Sequence, residues 1–474
     1  MSRSRRSDAA RTQARRLMRA SGDRTDAAGL HRLTIGHPSA YFCAMQSTGV
    51  LDELRWRGLV YQHTDGVQNA LAAGPMSAYI GFDPTGSSLH VGSLVPIMVL
   101  VHLQRHGHRP IALVGGGTGM IGDPSGKTSE RQLLTAEQVA QNARGIHGQL
   151  ERFLDFEGPA AARMRDNAAW LTSLHLVDFL RDVGKHFTVN YMLQKDSVRS
   201  RMDAGISFTE FTYMLLQAYD FLELKRRDGV TLQLGGSDQW GNITAGIELI
   251  RRVDGAEAHA LTMPLVTTSS GAKFGKTEAG AVWLDADRTS PYAFYQFWLA
   301  TEDADVGRYL RYYTLLPRAE VEALDAEAAA APEGRAAQQA LARDVTRRVH
   351  GDAALAAAEQ VSTFFFGGLA ADALTDDALG ILRAEAPFAD VTRDALASES
   401  DPARFDVLKL LVSSGLVASN GAAKRLLEQG GVSVNKRKLP AGERHVPASD
   451  VLLRGGHVVV GKGKRDYALL RVRD

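Results

Sequence analysis

Between about residues 75 and 290, apolar runs of strand length end in glycine clusters and pass into stretches of helical periodicity. That alternation leaves few folds open. MSAYIGF is a short strand pattern, and SLVPIMVLVHLQRHGH is a helix that Gly107 ends. RPIALVGGG is the next strand, and VTLQLGG another, which feeds a helix through DQWGNITAGIELIRRV. Strands that run into glycine turns and then helices predict βαβ units, hence an α/β fold with a parallel sheet. Ligands of such sheets bind at the carboxyl ends of the strands, where these glycine turns lie.

The sheet pattern defines an expected domain over 45–290. From 291 to 396 the chain becomes Ala-rich and helical, as in RAEVEALDAEAAAA, and predicts a helical domain. Residues 397–402, ASESDP, are expected to be a linker. The tail, 403–474, predicts a small α+β unit. There Ser419 caps a helix over NGAAKRLLEQ, Gly430 ends it, VSVNKRKL is a strand, and HVVVGKGKRDYALLRV is a basic hairpin. Residues 1–44 break from this organisation: they are Arg-rich, with no apolar period, and are expected to be disordered or loosely helical. They pass for a transit peptide, but a translation start at Met45 is the preferred reading.

A single cysteine, Cys43, excludes a disulfide scaffold and a cysteine-based zinc site, and favours a reducing, cytoplasmic setting. No apolar run reaches the ~18 residues of a membrane span. The formal net charge of +1 hides an uneven distribution. Residues 403–474 carry fourteen Lys and Arg against six Asp and Glu. A basic terminal unit on an acidic body predicts local contact with a polyanion.

Two familiar patterns fail on context. Gly117-Thr118-Gly119-Met120-Ile121-Gly122 satisfies the dinucleotide fingerprint, but Asp123-Pro124-Ser125-Gly126 extends the loop where a helix has to open. GDPSGKT has one residue too few for a P-loop, which misplaces the amides of a phosphate cradle.

Five blocks carry the chemistry: GFDPTGSSLHVGS (81–93), GDPSGKTSER (122–131), YMLLQAYD (213–220), GGSDQWGN (235–242) and KFGKT (273–277). Together, in this order, they resemble the class I aminoacyl-tRNA synthetases, specifically the bacterial tyrosyl enzymes, from about residue 48 to the C-terminus. His90-Val91-Gly92-Ser93 stands at the family's HIGH motif, and Lys273-Phe274-Gly275-Lys276-Thr277 at its KMSKS motif.

The resemblance implies a Rossmann-like catalytic domain, then a helical domain on the anticodon side, then an S4-like RNA-binding domain. It implies tyrosine–tRNA ligation: L-tyrosine and ATP give tyrosyl-adenylate and pyrophosphate, and the tyrosyl group passes to the 3′ end of tRNA(Tyr). It assigns stabilisation of the phosphates to His90, Lys273, Lys276 and Thr277, with Thr85, Lys127 and Arg131 assisting. Such chemistry needs positioning and charge stabilisation and no protein nucleophile. Tyr79 and Asp220 are implied for the substrate phenol, Asp123, Tyr213 and Gln217 for its ammonium, and Gln239 for its carboxylate. ATP contacts are implied at Gly81, Asp83, Gly92, Ser93, Gly236 and Asp238. The second HIGH histidine is replaced by Ser93, which donates a hydrogen bond but carries no charge.

Read from spacing alone, Tyr213, Gln217 and Asp220 share one helical face, and the apolar residues between them argue that this face looks into an interior cavity. RNA contacts are expected at Lys424, Arg425, Lys436, Arg437, Lys438, Lys462 and Lys464. Mg²⁺ is expected to accompany ATP; no tightly bound cofactor and no dedicated metal site are expected, and the family implies a homodimer. Two rival readings stand beside this one: a tryptophanyl enzyme and a non-catalytic RNA-binding paralogue.

Overall fold

The computed structural model describes residues 49–474, except 126–132, 200, 203, 204, 272, 273, 278, 279, 464 and 465. The side chains of Ser197, Lys276 and Thr277 also lie outside the description. The expectations for residues 1–44 and for a start at Met45 therefore fall outside the described residues.

Six strands form the main sheet: β1 (Gln62–His63), β2 (Ser77–Phe82), β3 (Arg109–Val114), β4 (Arg163–Asp166), β5 (Val230–Gly236) and β6 (His259–Met263). Their order is β1-β6-β5-β2-β3-β4, parallel throughout except for β1 against β6. The chain winds outward from β2 through β3 to β4, then crosses back to β5 on the other flank of β2. This reversal opens a crevice at the carboxyl ends of β2 and β5, where a ligand can enter. Residues alternate along β2: Ala78 and Ile80 pack into one core and Tyr79 into the other. Both faces of the sheet are therefore covered, which is why its strands read as continuous apolar runs.

Four helices position the site: α1 (Leu94–Arg105), α2 (Ala136–Leu150), α3 (Phe208–Asp228) and α4 (Trp240–Asp254). The helix α1 is buried on nearly all sides. Its Pro96 falls in the first turn, where a missing N–H costs no intrahelical bond. A capping box between Thr135 and Gln138 starts α2. The Ser207 hydroxyl accepts the Glu210 N–H to start α3, and Gly229, at φ 66°, ends it in the left-handed conformation.

Helices Pro291–Leu299, Asp303–Tyr313, Arg318–Ala330, Ala336–His350, Asp352–Ser362 and Asp376–Glu385 follow. The helical pattern expected to reach 396 stops earlier. Phe388–Thr392 is a strand, paired in parallel with Asp466–Arg473, because Ala389 and Val391 pack against the core of the tail. The expected linker is a folded turn, in which Ser398 is buried and its N–H donates to the Arg404 carbonyl. Within VSVNKRKL the single strand expected from the pattern is a tight hairpin. Val432–Val434 pairs with Arg437–Lys438 across Asn435 and Lys436, both at positive φ (48° and 62°). The terminal hairpin pairs His457–Lys462 with Asp466–Arg473.

Candidate active site

The loop after β2 leads to a short helical turn, Val91–Ser93, and His90 sits immediately before it. The Gly92 N–H donates to His90 Nδ1 at 3.0 Å. A neutral imidazole held in this way carries its proton on Nε2. A Cβ at Gly92 would lie 2.7 Å from the imidazole ring, so a larger residue there would displace His90 from this position. Ser93 makes no side-chain cap for α1, so its hydroxyl is left to the cavity.

The His90 turn is bonded to a segment some 190 residues away. Leu284 N–H donates to the Leu89 carbonyl and Val91 N–H to the Val282 carbonyl, at 2.9 and 3.0 Å. Val282 N–H donates in turn to the Gly275 carbonyl, also at 3.0 Å. Gly275 has φ 78°, and a Cβ there would stand 2.6 Å from Val91 Cγ2. Only glycine satisfies both the dihedral and the contact. The backbone of Lys276–Thr277 continues as a short strand paired with Gly280–Ala281. The two signature motifs thus meet through main chain. Lys127, Arg131 and Lys273 lie outside the described residues, as do the side chains of Lys276 and Thr277.

A cavity of about 400 Å³ opens at the carboxyl ends of β2 and β5. Its walls include Tyr79, Gly81, Asp83, Thr85, His90, Gly92, Ser93, Asp123, Tyr213, Gln217, Asp220, Gly236, Asp238 and Gln239. Tyr213, Gln217 and Asp220 look into it from α3, while Met214, Leu215 and Phe221 pack into the core behind.

Asp220 is 2% exposed and accepts hydrogen bonds from Asn167 Nδ2 at 2.9 Å and Trp170 Nε1 at 2.7 Å. Burial pushes its carboxyl up to about 7; Asp83 and Asp166 add to the rise, and the two donors oppose it. Tyr79 is buried beside it, and its hydroxyl has no hydrogen-bond partner among the described residues. Burial, and then Asp220, hold that phenol well above its ordinary range. An unpaired buried hydroxyl is costly, so a ligand that pairs with it gains correspondingly.

The other polar side chains bond in two sets, the first of which reaches Asp220 through Thr118 and Asn167. Tyr213 Oη donates to Asp83 Oδ2 at 3.0 Å, and Thr118 Oγ1 donates to Asp83 Oδ1 at 2.9 Å. Gln239 Nε2 donates to Asp123 Oδ2 at 2.7 Å, Gln217 Nε2 to Gln239 Oε1 at 3.2 Å, and Asn242 Nδ2 to Gln217 Oε1 at 3.0 Å. Asp83 therefore steadies Tyr213, a use the nucleotide assignment omits. Asn167, Trp170, Thr118 and Asn242 were not singled out from sequence. They orient the carboxylates and amides; Thr118 and Asn242 fall inside quoted motifs without being assigned a role, and no spacing in the chain marks Asn167 or Trp170.

In the tail, Lys424 reaches Glu428 at 3.9 Å, and Arg425, Arg437 and Lys438 are exposed. Lys436 is placed differently: its Nζ donates to the carbonyls of Phe364 and Phe365, at 2.8 and 2.5 Å. It sits at the second turn position of the tight hairpin and ties the tail to the helical region. Lys462 Nζ donates weakly to the Leu416 carbonyl at 3.4 Å, and Lys464 is outside the described residues.

Comparison with known proteins decides the family. The model for tRNA synthetases class I (W and Y) matches residues 71–367. The model for the tyrosine–tRNA ligase SYY-like C-terminal domain matches 388–470. The chain belongs to the class I tRNA synthetases, in the tyrosine–tRNA ligase family. A tyrosine–tRNA ligase of Anaeromyxobacter dehalogenans is 54% identical over 424 residues, covering 90% of this chain and 99% of its own. One of Roseiflexus castenholzii is 54% identical over 428 residues, covering 90% of this chain and all of its own. Among solved structures, a C-terminally truncated mitochondrial tyrosyl-tRNA synthetase of Aspergillus nidulans superposes with a TM-score of 0.62. It is 29% identical and covers 69% of this chain and 97% of its own.

Proposed function

We propose that the cavity performs the family's reaction, activation of L-tyrosine by ATP and its transfer to tRNA(Tyr), with the residues in the following roles. Asp220 accepts the substrate phenol O–H, and Tyr79 donates its unpaired hydroxyl to the phenol oxygen. A site built to pair a hydroxyl rejects the analogue lacking it far more strongly than an apolar slot rejects a methylene; tyrosyl enzymes are themselves the standard example. The substrate ammonium goes to Asp123, Gln217 and the lone pair that Tyr213 keeps after its proton is committed to Asp83. Gln239 aligns the carboxylate.

A carboxylate oxygen then attacks the α-phosphorus; the new O–P bond forms as the bond to the β-phosphate oxygen breaks and pyrophosphate leaves. His90 donates Nε2–H to the phosphate oxygens as charge builds there, and the lysine loop follows the departing pyrophosphate. Lys273, Lys276, Thr277, Thr85, Lys127 and Arg131 belong to this charge stabilisation. Gly81, Gly92, Ser93, Gly236 and Asp238 form the nucleotide side of the cavity. Mg²⁺ is proposed to enter with the triphosphate; among the described residues no three metal-ligating side chains are grouped to hold it in advance.

Domain limits near 45–290, 291–387 and 388–474 are also proposed, with the tail and its exposed Lys424, Arg425, Arg437 and Lys438 on tRNA. A homodimer is supported by the helix Leu176–Asp182, which buries no residue and exposes Leu176, Val177 and Leu180, and by Phe208, which is 76% exposed. A cytoplasmic setting accords with the single cysteine.

The observation that carries the reading is the unpaired Tyr79 hydroxyl beside buried Asp220. Pyrophosphate exchange with each of the twenty amino acids tests it. Exchange with tyrosine alone is expected; exchange with tryptophan would favour the tryptophanyl reading, and no exchange the non-catalytic one.

A further inference from the structure

The lysine loop contains one large apolar residue, Phe274, between Lys273 and the Gly275-Lys276 pair. A solvated lid has no need of a phenyl ring, yet this ring is 6% exposed. It is seated among four aromatic rings of the helical region: Phe297 and Trp298 from Pro291–Leu299, and Tyr309 and Tyr313 from Asp303–Tyr313. The Tyr313 ring is stacked on it, 5.4 Å away and 17° from parallel. Tyr309 meets it nearly edge-on at 4.9 Å. One residue on, Gly275 is pressed against Val91, and Val282 bonds both Gly275 and the His90 turn. The base of the loop is thus pinned at two consecutive residues, to the aromatic cage by a side chain and to the phosphate-side turn by main chain.

We infer that Phe274 is a positioning residue for the adenylate-forming step, its caged ring fixing the base of the lysine loop at a set distance from His90. The inference rests on the proposed activation chemistry and adds to it a residue that touches neither substrate. Catalysis by positioning is sensitive to this: a misplacement of about 1 Å costs up to about a hundredfold in rate. The tyrosine pocket is built from β2, α3, the Asp123 loop and Gln239 just before α4, and none of the cage rings lines it, so substrate binding is expected to be insulated from the change.

The test compares the full chain with Phe274→Ala and Phe274→Met in tyrosine-dependent pyrophosphate exchange, alongside thermal unfolding and equilibrium tyrosine binding. For Phe274→Ala, kcat is expected to fall at least about tenfold while tyrosine affinity stays within about twofold. Phe274→Met, which refills the cage with a flexible apolar chain, is expected to recover most of the rate. An unchanged kcat in Phe274→Ala overturns the inference. So does a parallel loss of kcat and tyrosine affinity in both variants, which marks a general structural role. If the unaltered chain shows no tyrosine-dependent exchange, the activation reading fails first, and that outcome is distinct from either of the others.

Discussion

At the scale of single residues, the pocket turns on a carboxyl kept in an environment that disfavours its charge. Burial, with Asp83 and Asp166 nearby, pushes the Asp220 carboxyl up to about 7. The phenol of a substrate donates to the carboxylate form, so tyrosine affinity is expected to rise about tenfold per pH unit up to about 7 and then level off. Equilibrium binding between pH 5.5 and 8.5 checks this (a range of about three units around the shift), and Asp220→Asn is expected to flatten the profile. The sign for stability runs the other way. Between about pH 4 and 7 the folded, unliganded protein keeps a proton that the unfolded chain has lost, so its stability falls as pH rises through that window. Denaturant titrations without tyrosine read this directly. Tyr213, Gln217 and Asp220 were legible in the sequence because a helix repeats its face at fixed intervals. Asn167 and Trp170 were not: they follow β4, some fifty residues from Asp220 in sequence, and only the fold brings them to it.

At the scale of elements, one of the two helices that hold the aromatic cage is itself fastened by a buried cation. Arg57 pairs with Glu53 at 2.7 Å and donates to the carbonyls of Arg311, Thr314 and Leu316, at the end of the helix that bears Tyr309 and Tyr313. Removing one partner of a buried pair leaves the other charge uncompensated. Arg57→Leu is therefore expected to destabilise the fold by about 3–5 kcal/mol, with partial recovery in the Arg57→Leu, Glu53→Leu double variant. Urea unfolding of the three proteins measures both effects. The βαβ order and the helix stops at Gly107 and Gly430 could be read from local pattern, since glycine and strand alternation act locally. The strand Phe388–Thr392 could not, because it exists only where Asp466–Arg473 offers it a neighbour some 80 residues away. The hairpin turn at Asn435-Lys436 is not legible in the pattern because lysine seldom adopts positive φ.

For the whole molecule, that same strand changes where the tail begins. Cutting at 403 leaves Phe388–Thr392 without its partner, while a cut there or before the strand uncovers the apolar patch that Val459 and Leu469 close over Phe364 and Leu374. A chain ending at Ala386 removes the sheet intact. It is expected to keep tyrosine-dependent exchange within about twofold while losing tRNA charging, and the full chain's charging is expected to weaken steeply with added salt. Exchange and charging assays at several salt concentrations separate these outcomes; charging unaffected by the cut would remove the tail from the RNA contact. The exposed ring of Phe208 and the apolar helix Leu176–Asp182 belong to the same scale. Phe208→Glu is expected to shift the sedimentation of the protein toward a single chain, and a mass equal to that of the unaltered protein would place the interface elsewhere.

The Lys436 ammonium, held by the carbonyls of Phe364 and Phe365, makes the junction before the tail a bracket where a free tether would otherwise hang. A nucleic acid gripped at the far end of a bracket arrives at the chemistry in one attitude, so the span between the two grips acts as a gauge of the guest's shape. With the tail on RNA as proposed, lengthening that junction by a few flexible residues is expected to blunt the gauge, which charging of non-cognate against cognate transfer RNA would read.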